Sequence, residues 1–171
     1  NRLVDAFADN KNIEMAFFPF NPETIFQNIK ILRTIFASIK FWRSLFANIP
    51  RFDAVQVFSS ASSGYILASI PPLIVSKIYK KRVILNYHSG ELEDHIINWK
   101  RTAIPTMKKF DAIVVPSQFL VDVFAKYKLH ATAIFNFIES KKFKFKERET
   151  LQPKFLSNRN FEVHYNVSCV I

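Results

Sequence analysis

The sequence predicts an α/β fold, a Rossmann-like doubly wound parallel sheet with helices on both faces. Short apolar, β-branched runs alternate with helical segments, which is typical of βαβ units. Each run ends in a polar loop, as strands of a buried parallel sheet do. The chain has 171 residues, 49% of them apolar and 19 of them Phe, so it can form a packed core.

The first third of the chain predicts two strands and a long helix. Ile13–Phe18 is an apolar run closed by Pro19, and Phe52–Phe58 is the next such run. Between them, residues 25–48 form a helical pattern that Pro50 ends. Apolar residues spaced by three and four define one face of this helix: Phe26, Ile29, Leu32, Ile35, Phe36, Ile39, Trp42, Phe46 and Ile49.

The remaining elements continue the alternation. A serine-rich loop at residues 59–64 precedes a helix, and Ser117 is a typical N-cap residue. The predicted helices are 65–79, interrupted by Pro71 and Pro72, then 94–109 and 118–127. The predicted strands are 82–88, 111–116 and 131–135.

The charged stretch at residues 141–154 has the composition of a linker. The predicted organisation is one Rossmann-like domain at 1–146, a linker at 147–153, and the first strand and helix of a second domain at 154–171. We expect the chain to be a fragment, because it starts at Asn1 without Met and stops within an apolar run at Ile171.

Composition limits compartment and partners. Cys169 is the single cysteine, which excludes an internal disulfide and fits a reducing cytosol. No apolar run reaches the ~20 residues of a spanning helix. The net charge of +10 favours anionic partners, namely nucleic acid, lipid headgroups or phosphorylated ligands. We expect a cytoplasmic protein, with peripheral attachment to the inner face of the membrane as an option.

His88 is the leading candidate for chemistry. It ends a strand, and ligands of open parallel sheets bind beyond the carboxyl ends of the strands. An imidazole there can accept a proton, bond to substrate or bind a metal, while the alternative is a loop histidine satisfied by backbone. A metal set of His88, Glu91 and His95 would need one continuous helix, which Ser89 and Gly90 disfavour.

Two further segments have both a functional and an ordinary interpretation. Ser59 and Ser60 open a loop before a helix, where hydroxyls and N–H groups bind phosphate or sugar, or simply cap the helix. Lys30, Arg33, Lys40 and Arg43 are spaced to share a second face of the long helix. That helix suits an anionic membrane surface, or its apolar face packs on the sheet. Nucleic-acid binding is less supported, because no reading motif accompanies the charge. No glycine-rich dinucleotide motif or phosphate-binding loop is present.

Five stretches, in order along the chain, resemble a known family. Phe52–Phe58 is similar to a "D-V-V-H-V" strand, Arg82–His88 to "V-x-T-x-H", and Phe110–Ser117 to "a-D-x-I-V-x-x-S". Ala133–Asn136, followed by Phe143, resembles "V-I-P-N-G-V-D…F", and Phe155–Glu162 resembles "V-G-R-L". Together they resemble the N-terminal half of a family 4 glycosyltransferase of GT-B architecture.

The resemblance implies an enzyme in which two Rossmann-like domains face a cleft. The first domain binds a glycan or lipid-linked acceptor and the second a nucleotide-sugar, which is a co-substrate; no cofactor or metal is implied. His88 matches the family's cleft histidine, and Arg159, with Asn158 beside it, matches the arginine on the donor diphosphate. We expect an acceptor site formed by the residues Ser59, Ser60, Ser89, Gly90, Glu91 and Asp94.

The chain also departs from the family pattern. The lysine expected six residues after Arg159 is Tyr165, and the expected glycine after Asn136 is Phe137. The acidic pair near the donor would lie beyond Ile171, so the fragment alone should be inactive. Two alternatives stay open: a non-catalytic scaffold that binds glycan or lipid, and another GT-B-like enzyme of nucleotide sugars.

Overall fold

The computed structural model describes residues 13–19, 30–136 and 147. It contains a four-stranded sheet in the order β1-β2-β3-β4, formed by Ala54–Ser59, Arg82–Tyr87, Ala112–Val115 and Thr132–Ala133. The helices are α1 (Lys30–Asn48), α2 (Ser62–Ile78), α3 (Leu92–Met107) and α4 (Gln118–Lys126), with a 3-10 turn at Ile49–Arg51.

All three strand pairs are parallel, which confirms the predicted Rossmann-like α/β class. Val57 pairs with Leu85, Leu85 with Ile113, and Val115 with Ala133. Since every strand runs the same way, the loops after β1, β2 and β3 leave the sheet at one edge. We call this the carboxyl edge, and the opposite edge the amino edge.

The main core of the described residues lies on one face of the sheet. Val83, Leu85 and Tyr87 are fully buried there against α2, α3 and α4. The opposite face carries the alternate residues of each strand. Phe58 is 46% exposed on it and Ile84 is half-buried, and neither belongs to the core cluster. The two faces are therefore unequally packed in this part of the chain.

The strand predicted at Ile13–Phe18 is wrong. In the described part of the chain these residues pair with no strand, and Ile13 and Phe17 are exposed. Phe18 lies edge-on to Phe52, with the ring centroids 6.2 Å apart. An apolar run becomes a strand only when its N–H and C=O groups find a ladder partner, and sequence alone does not supply one.

The helix predicted at 65–79 forms, but Pro71 and Pro72 do not interrupt it. The backbone is helical from Ser62 to Ile78, and both prolines are buried. A proline inside a helix costs about 3 kcal/mol. Burial of Leu73 and Val75 beside the prolines offsets that cost by holding this turn in the interior.

Helix ends follow local chemistry. Ser117 caps α4 as predicted, its Oγ accepting the Leu120 N–H at 3.4 Å. After α2 and after α4 the chain turns through a left-handed residue, Lys80 with φ 54° and Lys128 with φ 57°. Neither glycine of the chain has a positive φ. Lysines therefore occupy positions where glycine is the usual choice.

Asp111 ties the amino edge together. Its carboxylate accepts the backbone N–H of Val83 at 2.7 Å and the Lys77 Nζ at 2.9 Å. The Lys77 ammonium and the Val83 N–H hold the pKa of the Asp111 carboxyl below its usual value. One side chain thus links β3, β2 and α2 where the strands begin.

The chain divides into two compact units, Asn1–Asn136 and Phe137–Ile171. The predicted boundary at residue 146 lies in the second unit and, like the linker at 147–153 and the strand after it, falls mainly outside the described residues. No helix within the described ranges is long and apolar enough to span a bilayer.

Candidate functional site

The loops after β1 and β2 meet at the carboxyl edge. The His88 N–H donates to the Ser59 carbonyl oxygen at 3.0 Å, directly after the last residue pair of the two strands, Ser59 and Tyr87. This bond fixes the position at which the β2 loop leaves the sheet. Ser60 is exposed beside this junction.

His88 is exposed at this edge, where the sequence predicts it. Its ring lies 6.2 Å from the ring of Phe58, tilted by 45°. The aromatic neighbour restricts the imidazole on one side while the rest of the ring faces solvent. A base or hydrogen-bonding group for a ligand requires this kind of access. Its catalytic role stays a prediction.

The residues predicted to bind the acceptor differ in how exposed their side chains are. Ser59 is buried and its Oγ donates to the Ser60 carbonyl at 3.1 Å, so its hydroxyl is already used within the loop. Ser89 is half-buried, and its Oγ accepts the Glu91 N–H at 3.3 Å. Gly90, Glu91 and Asp94 are exposed, the last in the first turn of α3.

Asn86 is a candidate that the motif reasoning misses. It lies on β2 two residues before His88, it is 9% exposed, and its Oδ1 has no hydrogen-bond partner among the described residues. A buried amide oxygen without a partner is unfavourable by about 1–3 kcal/mol. The signal is visible in the sequence, since Asn86 interrupts the apolar run of β2.

Behind the His88 loop lies a buried aromatic cluster. Tyr87 Oη and His95 Nδ1 are 3.1 Å apart, and the Tyr65 and His95 rings meet edge to face at 4.9 Å. Tyr65 Oη donates to Thr106 Oγ1 at 2.8 Å, because that hydroxyl itself donates to the Thr102 carbonyl. The cluster anchors α3 beneath the loop.

Burial sets the protonation of this cluster. It raises the pKa of Tyr65 to about 12 and the pKa of Tyr87 well above its usual value. It lowers the pKa of His95, because the charged imidazolium would lose its hydration. Among the described residues His95 Nε2 has no hydrogen-bond partner, and its ring packs between Tyr65 and Tyr87.

The alternative metal set is not assembled. His88 is exposed while His95 is 2% exposed within the core, so the two rings face different surroundings. Among residues 13–19, 30–136 and 147, no three His, Cys, Asp or Glu side chains come close enough to share a metal ion.

The structure describes the side chains of three of the four cations predicted on α1, and their membrane role stays a prediction. Lys40 and Arg43 are exposed, Arg33 is half-buried, and only the backbone of Lys30 is described. Arg43 lies one turn from Ile39 and Phe46, within the apolar side of the helix. Within the predicted apolar face, Leu32, Ile35, Ile39 and Phe46 are exposed, while the buried residues of α1 include Ala37, Phe41 and Leu45. A helix that is apolar on both sides gives no sequence signal for the side that packs.

The structure does not describe the residues predicted to bind the donor. Asn158, Arg159 and Tyr165 fall outside the described residues. The clearest concavities of the described chain are also away from His88. One is a shallow depression on α1 lined by Ile39, Trp42, Arg43, Phe46 and Ala47, and another lies between α1 and α2.

Comparison of the chain with models of protein families, with curated proteins and with solved structures gives no match. The glycosyltransferase resemblance therefore rests on the motifs alone.

Proposed function

We propose that this chain is the acceptor-binding side of a retaining glycosyltransferase that uses a nucleotide-sugar donor. The observation that carries the proposal is the exposed His88 at the carboxyl edge of an all-parallel sheet. Ligands of such sheets bind at this edge. The motif resemblance supplies the reaction class and the edge supplies a place for the acceptor.

The side chains around His88 have the chemistry that sugar hydroxyls need. Each hydroxyl both donates and accepts a hydrogen bond. Ser60 offers a hydroxyl, and Glu91 and Asp94 offer carboxylates. The aromatic ring of Phe58, 46% exposed next to His88, adds an apolar surface for the C–H face of a sugar.

In the proposed reaction an acceptor hydroxyl oxygen bonds to the anomeric carbon of the donor sugar. The bond from that carbon to the phosphate oxygen breaks, and the hydroxyl proton passes to the departing nucleotide diphosphate. His88 orients the reacting sugar by hydrogen bonding. By resemblance, Arg159 stabilises the negative charge of the leaving diphosphate.

A non-catalytic glycan-binding or lipid-binding domain is the second candidate. Tyr165 replaces the expected lysine, which removes one cation from the proposed diphosphate site. Such a domain would retain the acceptor surface around His88 and lose transfer. A different GT-B-like enzyme of nucleotide sugars is the third, and it would consume the donor without glycosylating the acceptor.

The test combines binding and transfer. Saturation-transfer NMR would detect contact of the chain with glycans and with polyprenyl-phosphate sugars. Mass spectrometry would detect transfer from uridine, guanosine and adenosine diphosphate sugars by the protein that contains the chain. We expect His88→Ala to retain the fold and reduce transfer by about two orders of magnitude or more.

His130→Ala is the matched control. His130 is also exposed, but it precedes β4 at the amino edge, so its loss should leave binding and transfer unchanged. If His88→Ala and His130→Ala reduced transfer equally, the proposal that the acceptor binds at the carboxyl edge would be wrong. Glycan binding without transfer favours the scaffold, and donor consumption without a glycosylated product favours the third candidate.

A further inference from the structure

Helix α1 has an apolar side that the described residues leave largely exposed. Ile35 and Ile39 are 50% and 51% exposed and Phe46 is 41% exposed, and their spacing of four and seven puts them on one side of the helix. Leu32 and Phe36 lie alongside them and are also exposed. Phe41 and Leu45, on the other side, are buried in a cluster with Val75 of α2. Packing within the described chain therefore uses only half of this helix.

This exposed side continues onto the turn that follows α2. Phe46 stacks on Trp42, with centroids 6.0 Å apart, and meets Tyr79 edge to face at 6.3 Å. Tyr79 and Lys80 are exposed in that turn, next to the exposed Ile78. Trp and Tyr are enriched where hydrocarbon meets water, because the ring is apolar and one atom is polar.

The charge on this surface has one sign. The 19 residues of α1 include four cations and no Asp or Glu. Arg43 is exposed on the helix, and Lys80 extends the positive charge to the turn. The depression lined by Ile39, Trp42, Arg43, Phe46 and Ala47 has a volume of about 660 Å³ and combines an apolar floor with a guanidinium.

We propose that this surface, formed by Ile35, Ile39, Trp42, Arg43, Phe46, Tyr79 and Lys80, binds the face of an anionic lipid bilayer. Apolar and aromatic side chains enter the interface while cations meet lipid phosphates. The helix lies along the bilayer. A second copy of the chain is the less favoured occupant, because two such faces would bring like charges together. The inference goes beyond the proposed function and does not rest on it.

Vesicle flotation tests the proposal directly. We expect the chain to float with vesicles of phosphatidylcholine and phosphatidylserine and to stay behind with phosphatidylcholine alone. Arg43→Gln with Lys80→Gln should weaken binding about thirtyfold, since each cation contributes about 1 kcal/mol near an anionic surface. Ile35→Ser with Ile39→Ser should weaken it at least as much, because two large apolar side chains are lost.

Matched controls come from exposed residues of α3 and the turn after it. Ile97 is 62% exposed on α3, and Lys100 and Lys109 are exposed cations. Ile97→Ser and the pair Lys100→Gln with Lys109→Gln should leave flotation unchanged. Circular dichroism checks that each variant is folded, which is expected because every substituted side chain is exposed.

A fluorescence readout locates the contact. The chain has two tryptophans, so Trp99→Phe leaves Trp42 as the only reporter. Its emission should shift to shorter wavelength with anionic vesicles and be quenched by brominated acyl chains. The proposal would be overturned if the Trp42 emission did not shift, or if the control variants lost as much vesicle binding as the test variants. It would also be overturned if sedimentation showed a dimer that Ile39→Ser dissociates.

Discussion

Polar side chains at the amino and carboxyl edges of the sheet differ in whether they are engaged in bonds that hold the strands together. At the amino edge, Asp111 is engaged by the Val83 N–H and by Lys77, so its charge holds secondary structure together. At the carboxyl edge, the side chains of His88 and Glu91 are exposed. One edge uses its polar groups to stabilise the fold, while the other leaves them accessible to a ligand.

The largest expected effect is at the amino edge. Asp111→Ala should lower the free energy of unfolding by about 2 kcal/mol, because the Val83 N–H loses its acceptor at a partly buried position. Urea denaturation of the chain measures it. Asp111→Asn retains an oxygen acceptor and should lose less, so an equal loss for both variants would show that the charge alone matters.

Asp111 also predicts the acid side of the stability profile. Its folded pKa is below the unfolded value of about 3.8, so its stabilisation is complete above that value. The stabilisation is lost as the pH falls through the folded pKa. The Asp111→Ala variant should therefore lack this part of the acid dependence.

The next effect comes from the cluster behind the carboxyl edge. His95 has a lowered pKa, so the unfolded chain binds a proton more readily than the folded chain. Stability should fall as the pH drops below the unfolded value of about 6.5. Replacing both hydrogen-bond partners, Tyr87→Phe with His95→Phe, should remove this dependence. A retained slope in urea titrations between pH 7 and pH 5 would assign it to another group.

The smallest effect is expected at Lys77. Its ammonium and the Asp111 carboxylate are each 42% exposed, and such surface pairs contribute about 0–1 kcal/mol. Lys77→Gln should therefore lower stability by roughly 0.5 kcal/mol at low salt and by less at high salt. A loss as large as that of Asp111→Ala would mean that the ion pair, rather than the Val83 bond, stabilises this edge.

The sequence predicts the alternation of this fold and much less of its surfaces. Apolar runs predict the four strands of the sheet, and local chemistry predicts the Ser117 cap, because both signals lie within a few neighbouring residues. The position of His88 follows from parallel strand direction. The burial of Ser59 at the end of β1 does not follow from it, since that burial depends on the packing of the strand, and the Ser59 hydroxyl donates to the Ser60 carbonyl.

Other features depend on contacts between distant residues. Pro71 and Pro72 remain helical because the surrounding turn is buried, and Ile13–Phe18 lacks the partner that a strand requires. The packed side of α1 is set by Val75 and Val55, which lie on other elements. Asn86 differs from these features, because a polar residue within an apolar strand is visible in the sequence. Only the structure shows that its Oδ1 lacks a hydrogen-bond partner among the described residues.

The order of the strands in the sheet has a consequence for how the molecule is built. In this sheet each strand from β2 onward pairs with the strand that precedes it in the chain. Pairing of β2, β3 and β4 therefore does not require a segment later in the sequence. Loop closure is then short at every step, which favours rapid folding. During synthesis the sheet would grow by accretion, one βα unit at a time, from β1 toward β4.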